Sequence, residues 1–146
     1  MSLFNIFQVA GSGMSAQSVR LNTTASNLAN ANTVTGSAAT AYRAREPLFE
    51  AVQQNAMGQA TDANGDTTGS AVGVRVAGVT ESQQPIDPRF DPNNPLADAD
   101  GYVYGSNVNT VDELVNMISA SRTYQNNAEV MNTAKQLMLK TLDLGK

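Results

Sequence analysis

The strongest constraint on how this chain can fold is a long helical repeat near its carboxyl end. From Leu114 to Leu142, apolar or small side chains recur at alternating intervals of three and four residues. This spacing is typical of a helix that packs along one face against another helix. Thr110 and Glu113 fit a capping box and Gly145 is a common terminator, so we expect the helix to begin at Thr110 and end at Gly145. A helix of about 35 residues would extend roughly 50 Å, longer than a compact domain of this mass needs.

A second heptad repeat lies near the amino end, from residue 3 to about residue 30. Its largest apolar residues are Phe7, Met14, Leu21 and Leu28, spaced by sevens. Small and short polar residues between them would let a neighbouring backbone approach closely; these are Ala10, Gly11, Gln17, Ser18, Thr24 and Ala25.

Two readings of these repeats stay open. The helices can form an antiparallel pair within one chain, or they can in addition pack against other copies. In the second reading the large side chains of both repeats are the assembly interface, namely Phe7, Met14, Leu21, Leu28, Leu114, Met117, Tyr124, Met131, Met138 and Leu142. Ser121 and Lys135 interrupt the carboxyl-terminal repeat.

Residues 33–109 have a different character, rich in Gly, Pro, Asn, Asp and Thr. The alternation of residues 72–79 predicts a half-buried strand, and residues 41–49 are its expected partner. Asn64-Gly65 is a tight-turn signal within a loop at 58–70. Proline follows Asp87, Asp91 and Asn94, which favours an extended strap without regular structure. We therefore expect an α+β fold of three parts: an assembly helix (1–32), a β-rich, loop-rich central segment (33–109) and a second assembly helix (110–146).

Composition argues against several function classes. The formal net charge of -4 and the scattered basic residues disfavour nucleic-acid binding. His and Cys are absent, which removes the commonest general base, the thiol nucleophile and most zinc sites. We therefore expect no enzymatic activity, cofactor or metal. No apolar run reaches the length of a membrane span, and we expect neither membrane insertion nor a cleaved secretory signal.

Three motifs suggest ligands but are better explained by packing or turns. Residues 11–16 match a relaxed dinucleotide-binding fingerprint, yet they lack the preceding strand and the following acidic residue, so close helix packing is favoured. Residues 62–66 and 98–101 resemble fragments of calcium loops but lack the Glu that completes them. Tyr102, Tyr104 and Tyr124 have no basic track beside them and are expected to pack rather than to stack on bases.

One string has a more specific parallel. Residues 25–33, Ala-Ser-Asn-Leu-Ala-Asn-Ala-Asn-Thr, resemble the amino-terminal signature of the flagellar rod, hook and hook-associated proteins. Residues 73–92, 97–103 and 107–109, then 113–122 and Tyr124, resemble the proximal-rod members of that family. The resemblance covers nearly the whole chain and is weakest at residues 55–70.

The resemblance implies a structural subunit of the proximal rod, which spans the periplasm and transmits torque. It implies partners among other rod proteins, copies of the chain itself and the flagellar type III export apparatus. A free-standing helical-hairpin adaptor or chaperone-like module is the alternative, and a secreted carbohydrate- or calcium-binding module is a third. A sharply melting monomer would favour the adaptor, and metal binding by an isolated central segment would favour the third.

Overall fold

The computed structural model describes residues 3–53 and 71–144, and the fold is α+β as the sequence predicts. Helix α1 spans Leu3–Asn30 and helix α2 spans Thr110–Leu144. Between them lie five strands: β1 (Val34–Thr35), β2 (Arg45–Gln53), β3 (Ala71–Glu81), β4 (Pro88–Phe90) and β5 (Tyr102–Gly105). The predictions of a loop at 58–70 with its Asn64-Gly65 turn, and of a helix stop at Gly145, lie outside the described residues. So does the first calcium-like string at 62–66.

The start of α2 is where the sequence predicts it, but the predicted cap is wrong. Asn109 is the capping residue, because its side-chain oxygen accepts a hydrogen bond from the Val111 N–H at 3.0 Å. The Asn109 carbonyl accepts the first helical hydrogen bond, from the Glu113 N–H at 3.0 Å. The Glu113 side chain does not turn back to close a capping box with Thr110; it bonds to Asn27 of α1 instead.

The two helices form an antiparallel pair. Asn27, near the end of α1, bonds to Glu113 at the start of α2, whereas Gly13 lies beside Asn127, about four turns further along α2. Because α2 has 35 residues and α1 has 28, α2 extends beyond the amino end of α1. Within the described residues, neither helix combines the length and the apolar character that a membrane crossing requires.

A two-stranded antiparallel sheet of β2 and β3 packs along α1. Its register pairs Arg45 with Glu81 at one end and Gln53 with Ala71 at the other, with two irregularities between. The predicted pairing of residues 41–49 with the strand at 72–79 is thus confirmed, although β2 begins only at Arg45. Helix α1 therefore lies between α2 and this sheet.

A second sheet joins the ends of the helices to the proline-rich strap. Its order is β1-β5-β4, and all pairs are antiparallel. Val103 of β5 is fully buried and forms the centre of this part of the core. The prediction that the strap has no regular structure is wrong at Pro88–Phe90, because these residues form an edge strand. Proline is tolerated there because an edge strand leaves one row of its backbone groups unpaired.

Candidate functional site

The contact between α1 and α2 is built from small and polar residues, which we call the seam. On each helix the seam residues follow a heptad spacing, so they share one face. The seam consists of Ala10, Gly13, Gln17, Arg20, Thr24 and Asn27 on α1, and of Glu113, Asn116, Ala120, Asn127 and Ala134 on α2. Three residues that the sequence predicts as small groups at a close contact, Ala10, Gln17 and Thr24, belong to it.

Gly13 shows how closely the helices approach. A Cβ atom added at Gly13 would lie 2.7 Å from Nδ2 of Asn127, a distance that atoms essentially never adopt. By contrast, nothing lies within 4 Å of a Cβ added at Gly11, two residues earlier. Ala16 is almost fully buried. Gly13 and the buried Ala16 are closely packed, as the sequence predicts, whereas Gly11 has open space beside it, so close packing explains only part of the dinucleotide-like motif.

The ten residues predicted as an assembly interface lie beside the seam rather than in it. Seven are half-buried: Phe7, Met14, Leu21, Leu28, Met117, Met131 and Met138. The other three, Leu114, Tyr124 and Leu142, are exposed. The single chain thus does not gather these side chains into one interior core, and part of each remains available for contact with another molecule.

Sequence reasoning missed a more exposed surface at the start of α2. Val111, Leu114, Val115 and Ile118 recur at helical spacing and are between 47% and 65% exposed; we call them the apolar face. Only Leu114 is in the predicted set. The other three carry a recognisable signal, a second apolar spacing of three and four residues, but it is out of phase with the repeat that runs to Leu142.

A second unpartnered apolar region lies near the other end of the helix pair. There Ile6 of α1 and Val130 and Leu137 of α2 line an open groove of about 470 Å³. Val130 is 48% exposed and Leu137 is 52% exposed. Large apolar side chains that stay exposed in contiguous patches mark interaction surfaces more often than scattered ones do.

A polar cluster closes the opposite end of the pair, where α1, α2 and β2 meet. Asn27 is 1% exposed, and its side-chain nitrogen donates to the Arg45 carbonyl and to Oε1 of Glu113, both at 2.8 Å. Its side-chain oxygen accepts from the Arg45 N–H at 2.9 Å and from the Tyr42 hydroxyl at 3.0 Å. An asparagine amide has two donor hydrogens and two acceptor sites, so Asn27 is fully satisfied.

The sheet of β2 and β3 is attached to α1 at a second point, near its amino end. Ser12 Oγ accepts a hydrogen bond from the Val74 N–H at 3.2 Å and donates one to the Val9 carbonyl at 2.9 Å. A Cβ added at Gly73 would lie 2.6 Å from Ser12 Oγ, so a larger residue at position 73 would displace the Ser12 side chain from this hydrogen bond. With Asn27 at the other end, the sheet is held along most of α1.

The second calcium-like string, residues 98–101, is a turn whose acceptors are used internally. Asp98 Oδ1 accepts from the Tyr102 N–H at 2.8 Å and the Asp100 N–H at 3.0 Å, and Oδ2 accepts from the Tyr104 hydroxyl at 3.2 Å. These bonds, above all the one from Tyr102, lower the pKa of Asp98 and outweigh its partial desolvation. The bond to the Asp98 carboxylate raises the pKa of Tyr104. Gly101 has φ +81°, a conformation that favours glycine.

Two of the three tyrosines pack as expected. The Tyr102 ring meets the Phe90 ring edge to face, with centroids 5.3 Å apart, and Tyr104 is fixed by its bond to Asp98. Tyr124 is 40% exposed on α2. Over residues 3–53 and 71–144, no three acidic side chains come close enough together to hold a metal ion.

The ends of the chain match known family models. Residues 7–36 match the family "Flagella basal body rod protein", and residues 99–144 match "Flagellar basal body rod FlgEFG protein C-terminal". This chain and the flagellar basal-body rod protein FlgC of Salmonella typhimurium align over the full length of both proteins at 53% identity. The FlgC proteins of Yersinia enterocolitica, at 52%, and of Buchnera aphidicola from Acyrthosiphon pisum, at 39%, also align over their full length.

The chain belongs to the FlgC family of flagellar basal-body rod proteins. It is a structural subunit of the basal-body rod and thereby serves motility. It assembles with other rod components. The two matched segments contain the seam, the apolar face and the α2 side of the groove, whereas the sheet of β2 and β3 lies between them. The family signature at residues 25–33 contains Asn27, the residue that joins three elements in this structure.

Proposed function

We propose that this chain is a subunit of the proximal part of the rod and transmits motor torque through helix contacts with its neighbours. The observation that carries the proposal is that different residues of the helices serve the contact within the chain and the exposed surface. The contact within the chain uses small and polar residues, while large apolar side chains stay partly or largely exposed beside it. Within residues 3–53 and 71–144 these side chains stay partly or largely exposed, so they are available for contact with neighbouring molecules.

The proposed interface combines the ten predicted residues with the apolar face and the groove around Ile6. Burying a large apolar side chain contributes about 1.5–3 kcal/mol, so several together stabilise an assembly substantially. The proposed functional division follows the same logic, with residues 1–32 and 110–146 as assembly helices and residues 33–109 as the segment that braces them. Subunits that meet head to tail, with one surface patch against a different patch of the next subunit, build an open helical array when the rotation between them does not close a ring, and other proteins would have to limit its length.

The central experiment introduces a charge into the proposed interface. Leu114→Asp and Ile118→Asp alter side chains that are 47% and 54% exposed, so each change should leave the free energy of unfolding nearly unaffected. In cells that carry the variant as the sole copy, we expect loss of swimming and loss of completed rods. Asn132→Asp, at another exposed position on the same helix, is the matched control, and cells that carry it should swim normally.

Two further variants test residues of the interface predicted from the sequence. Leu28→Asp and Met131→Asp should also block rod assembly, but both residues are half-buried, so helicity of the purified variants must be checked first. If a folded variant builds normal rods, the residue that it replaces does not belong to the interface.

Hydrogen exchange separates the proposal from the free-standing adaptor. If neighbours complete the core, amides of residues 3–30 and 110–144 should be much better protected in isolated basal bodies than in the purified chain. Full protection in the purified chain would favour a self-contained helical hairpin.

Export by the flagellar type III apparatus without cleavage of a signal is also part of the proposal, and it rests on the resemblance to the family. The mass of the amino-terminal peptide of the chain recovered from purified rods tests it. A peptide that begins at Met1 or Ser2 is expected, and one that begins further along would contradict uncleaved export. Catalysis has no part in the proposed role.

A further inference from the structure

We propose that Asn27 and Glu113 fix the register in which α1 and α2 pair. That register determines how the exposed apolar side chains of α1 are aligned with those of α2. The first part of this proposal rests on the folded chain alone and does not depend on the role in the rod. Only the consequence for the apolar surface rests on the proposed function.

The rest of the seam is poorly suited to choosing one register. Gly13, Ala120 and Ala134 present little more than backbone and a methyl group, and Ala120 and Ala134 lie a whole number of heptads apart. Sliding one helix by seven residues would place Gly13 opposite Ala120 or opposite Ala134 instead of Asn127. A methyl group needs less room beside Gly13 than the Asn127 side chain does, so the packing at Gly13 does not oppose either shift.

Charge does not exclude the shifted pairings either. In the observed register the Arg20 guanidinium donates to Oδ1 of Asn116 at 2.7 Å. In this register Arg20 is level with Ala120 and reaches one turn along α2 to Asn116. A slip of one heptad in one direction would bring Arg20 level with Glu113, where an ion pair is available. A slip in the other direction would bring it level with Asn127, where an amide oxygen is available.

Asn27 distinguishes the observed register from both alternatives. Its side chain is almost fully buried and finds four partners only when Glu113 lies opposite. A slip in one direction would place Asn27 opposite the methyl group of Ala120, and a slip in the other would place it beyond the start of α2. Either leaves a buried amide hydrogen without its acceptor, which is costly in an interior. A single buried asparagine sets register in coiled coils by this same mechanism.

The Asn27 side chain also fixes the position of the sheet of β2 and β3 relative to α1. Asn27 bonds to both backbone groups of Arg45, the first residue of β2. The position of α2 along α1 and the position of β2 along α1 are therefore set by one amide group.

The test measures the helix register directly with spin labels. The chain has no cysteine, so Gln8→Cys and Ser119→Cys, both at exposed positions, give two unique attachment sites. From the pairing of Gly13 with Asn127, Gln8 lies level with residue 132, about 20 Å along the axis from Ser119. A slip of one heptad would change that axial separation by about 10 Å.

The key variant is Asn27→Leu combined with Glu113→Leu, which removes both polar partners and keeps the contact apolar. The matched control is Asn30→Leu with Glu129→Leu. It makes the same replacements at an asparagine whose side chain donates to the Ser26 carbonyl of its own helix and at an exposed glutamate. Distances are measured by pulsed electron paramagnetic resonance in a buffer with trimethylamine N-oxide, which favours the compact state. Circular dichroism reports helix content.

We expect one distance in the parent and in the control, and a second population displaced by about 10 Å in the key variant with helix content retained. A single parental distance in the key variant would overturn the proposal, because the register would then be set elsewhere. Loss of helix content in the key variant would overturn it as well, because Asn27 and Glu113 would then be needed for folding rather than for the choice of register. A broad distribution in the parent itself would show that the free chain has no fixed register and would also contradict the proposal.

Discussion

Two glycines in α1, only two positions apart, should respond to alanine in opposite ways. Within a helix, replacing glycine by alanine stabilises by roughly 0.5–1 kcal/mol, because alanine loses less backbone entropy on folding. A Cβ at Gly11 meets nothing within 4 Å, so Gly11→Ala should gain the whole of that amount. For a domain of this size, we expect the midpoint of thermal unfolding to rise by about 2–4 °C.

Gly13→Ala has the same intrinsic gain but must displace Asn127. The new Cβ would lie 2.7 Å from Nδ2 and 3.4 Å from Cγ of Asn127, so the whole amide has to move within a closely packed seam. Overpacking of this kind costs about 1–3 kcal/mol. The variant should therefore be no more stable than the parent, and at least about 1 kcal/mol less stable than Gly11→Ala.

Urea unfolding of the purified chain, followed by circular dichroism, measures both variants. Asn127→Ala in the Gly13→Ala background removes the obstructing amide and should restore most of the lost stability, whereas Asn127→Ala should not improve Gly11→Ala. If Gly13→Ala proved as stabilising as Gly11→Ala, the close approach of the two helices at this point would be refuted.

Three further expectations follow from single contacts. Gln17 Oε1 is buried and unbonded within the described part of the chain, so Gln17→Met should raise the free energy of unfolding by about 1–2 kcal/mol in urea titrations. Asn109→Ala should lower it by about 1 kcal/mol through loss of the helix cap, whereas Thr110→Ala should change it by under about 0.5 kcal/mol; the reverse order would restore Thr110 as the cap. The pKa of Asp98 is lowered from its ordinary value of 3.8, so its contribution to stability is present above pH 3.8 and is lost as pH falls through the lower folded value. Acid titration of tyrosine fluorescence should detect that loss in the parent but not in Asp98→Asn.

The sequence predicted the period of the helices correctly, and Ala10, Gln17 and Thr24 as residues of a close contact, but the large residues of the predicted repeat lie beside that contact. Phe7, Met14, Leu21 and Leu28 stand out in a heptad search because they are large, yet the residues that α1 turns to α2 are Ala10, Gly13 and their heptad equivalents. Hydrophobic periodicity locates the largest apolar side chains. A contact between two closely spaced backbones selects the smallest ones, so the two patterns share a period and differ in phase.

Long-range polar contacts lay beyond sequence reasoning for a different reason. Glu113 three residues after Thr110 is a local pattern, and the capping box is its ordinary interpretation. In the structure its partner is Asn27, which is 86 residues away. Asn27 does occur in the string that resembles the flagellar family, but nothing in a string shows that its amide bonds to the backbone of Arg45. The small sheet of β1, β4 and β5 was missed likewise, because strands of two to four residues show almost no alternation.

A narrow seam and an exposed apolar surface have a common physical cause in this fold. Two long helices can bury large side chains against each other only by moving their axes apart, and the large side chains then become the core of the isolated chain. Here the small seam residues bring the axes together and leave Leu114, Ile118 and their neighbours outside. The cost is a weakly discriminating contact, which makes one fully bonded amide at Asn27 decisive for alignment. A subunit built this way holds its own helices in register with polar groups and keeps its apolar side chains for the molecules beside it.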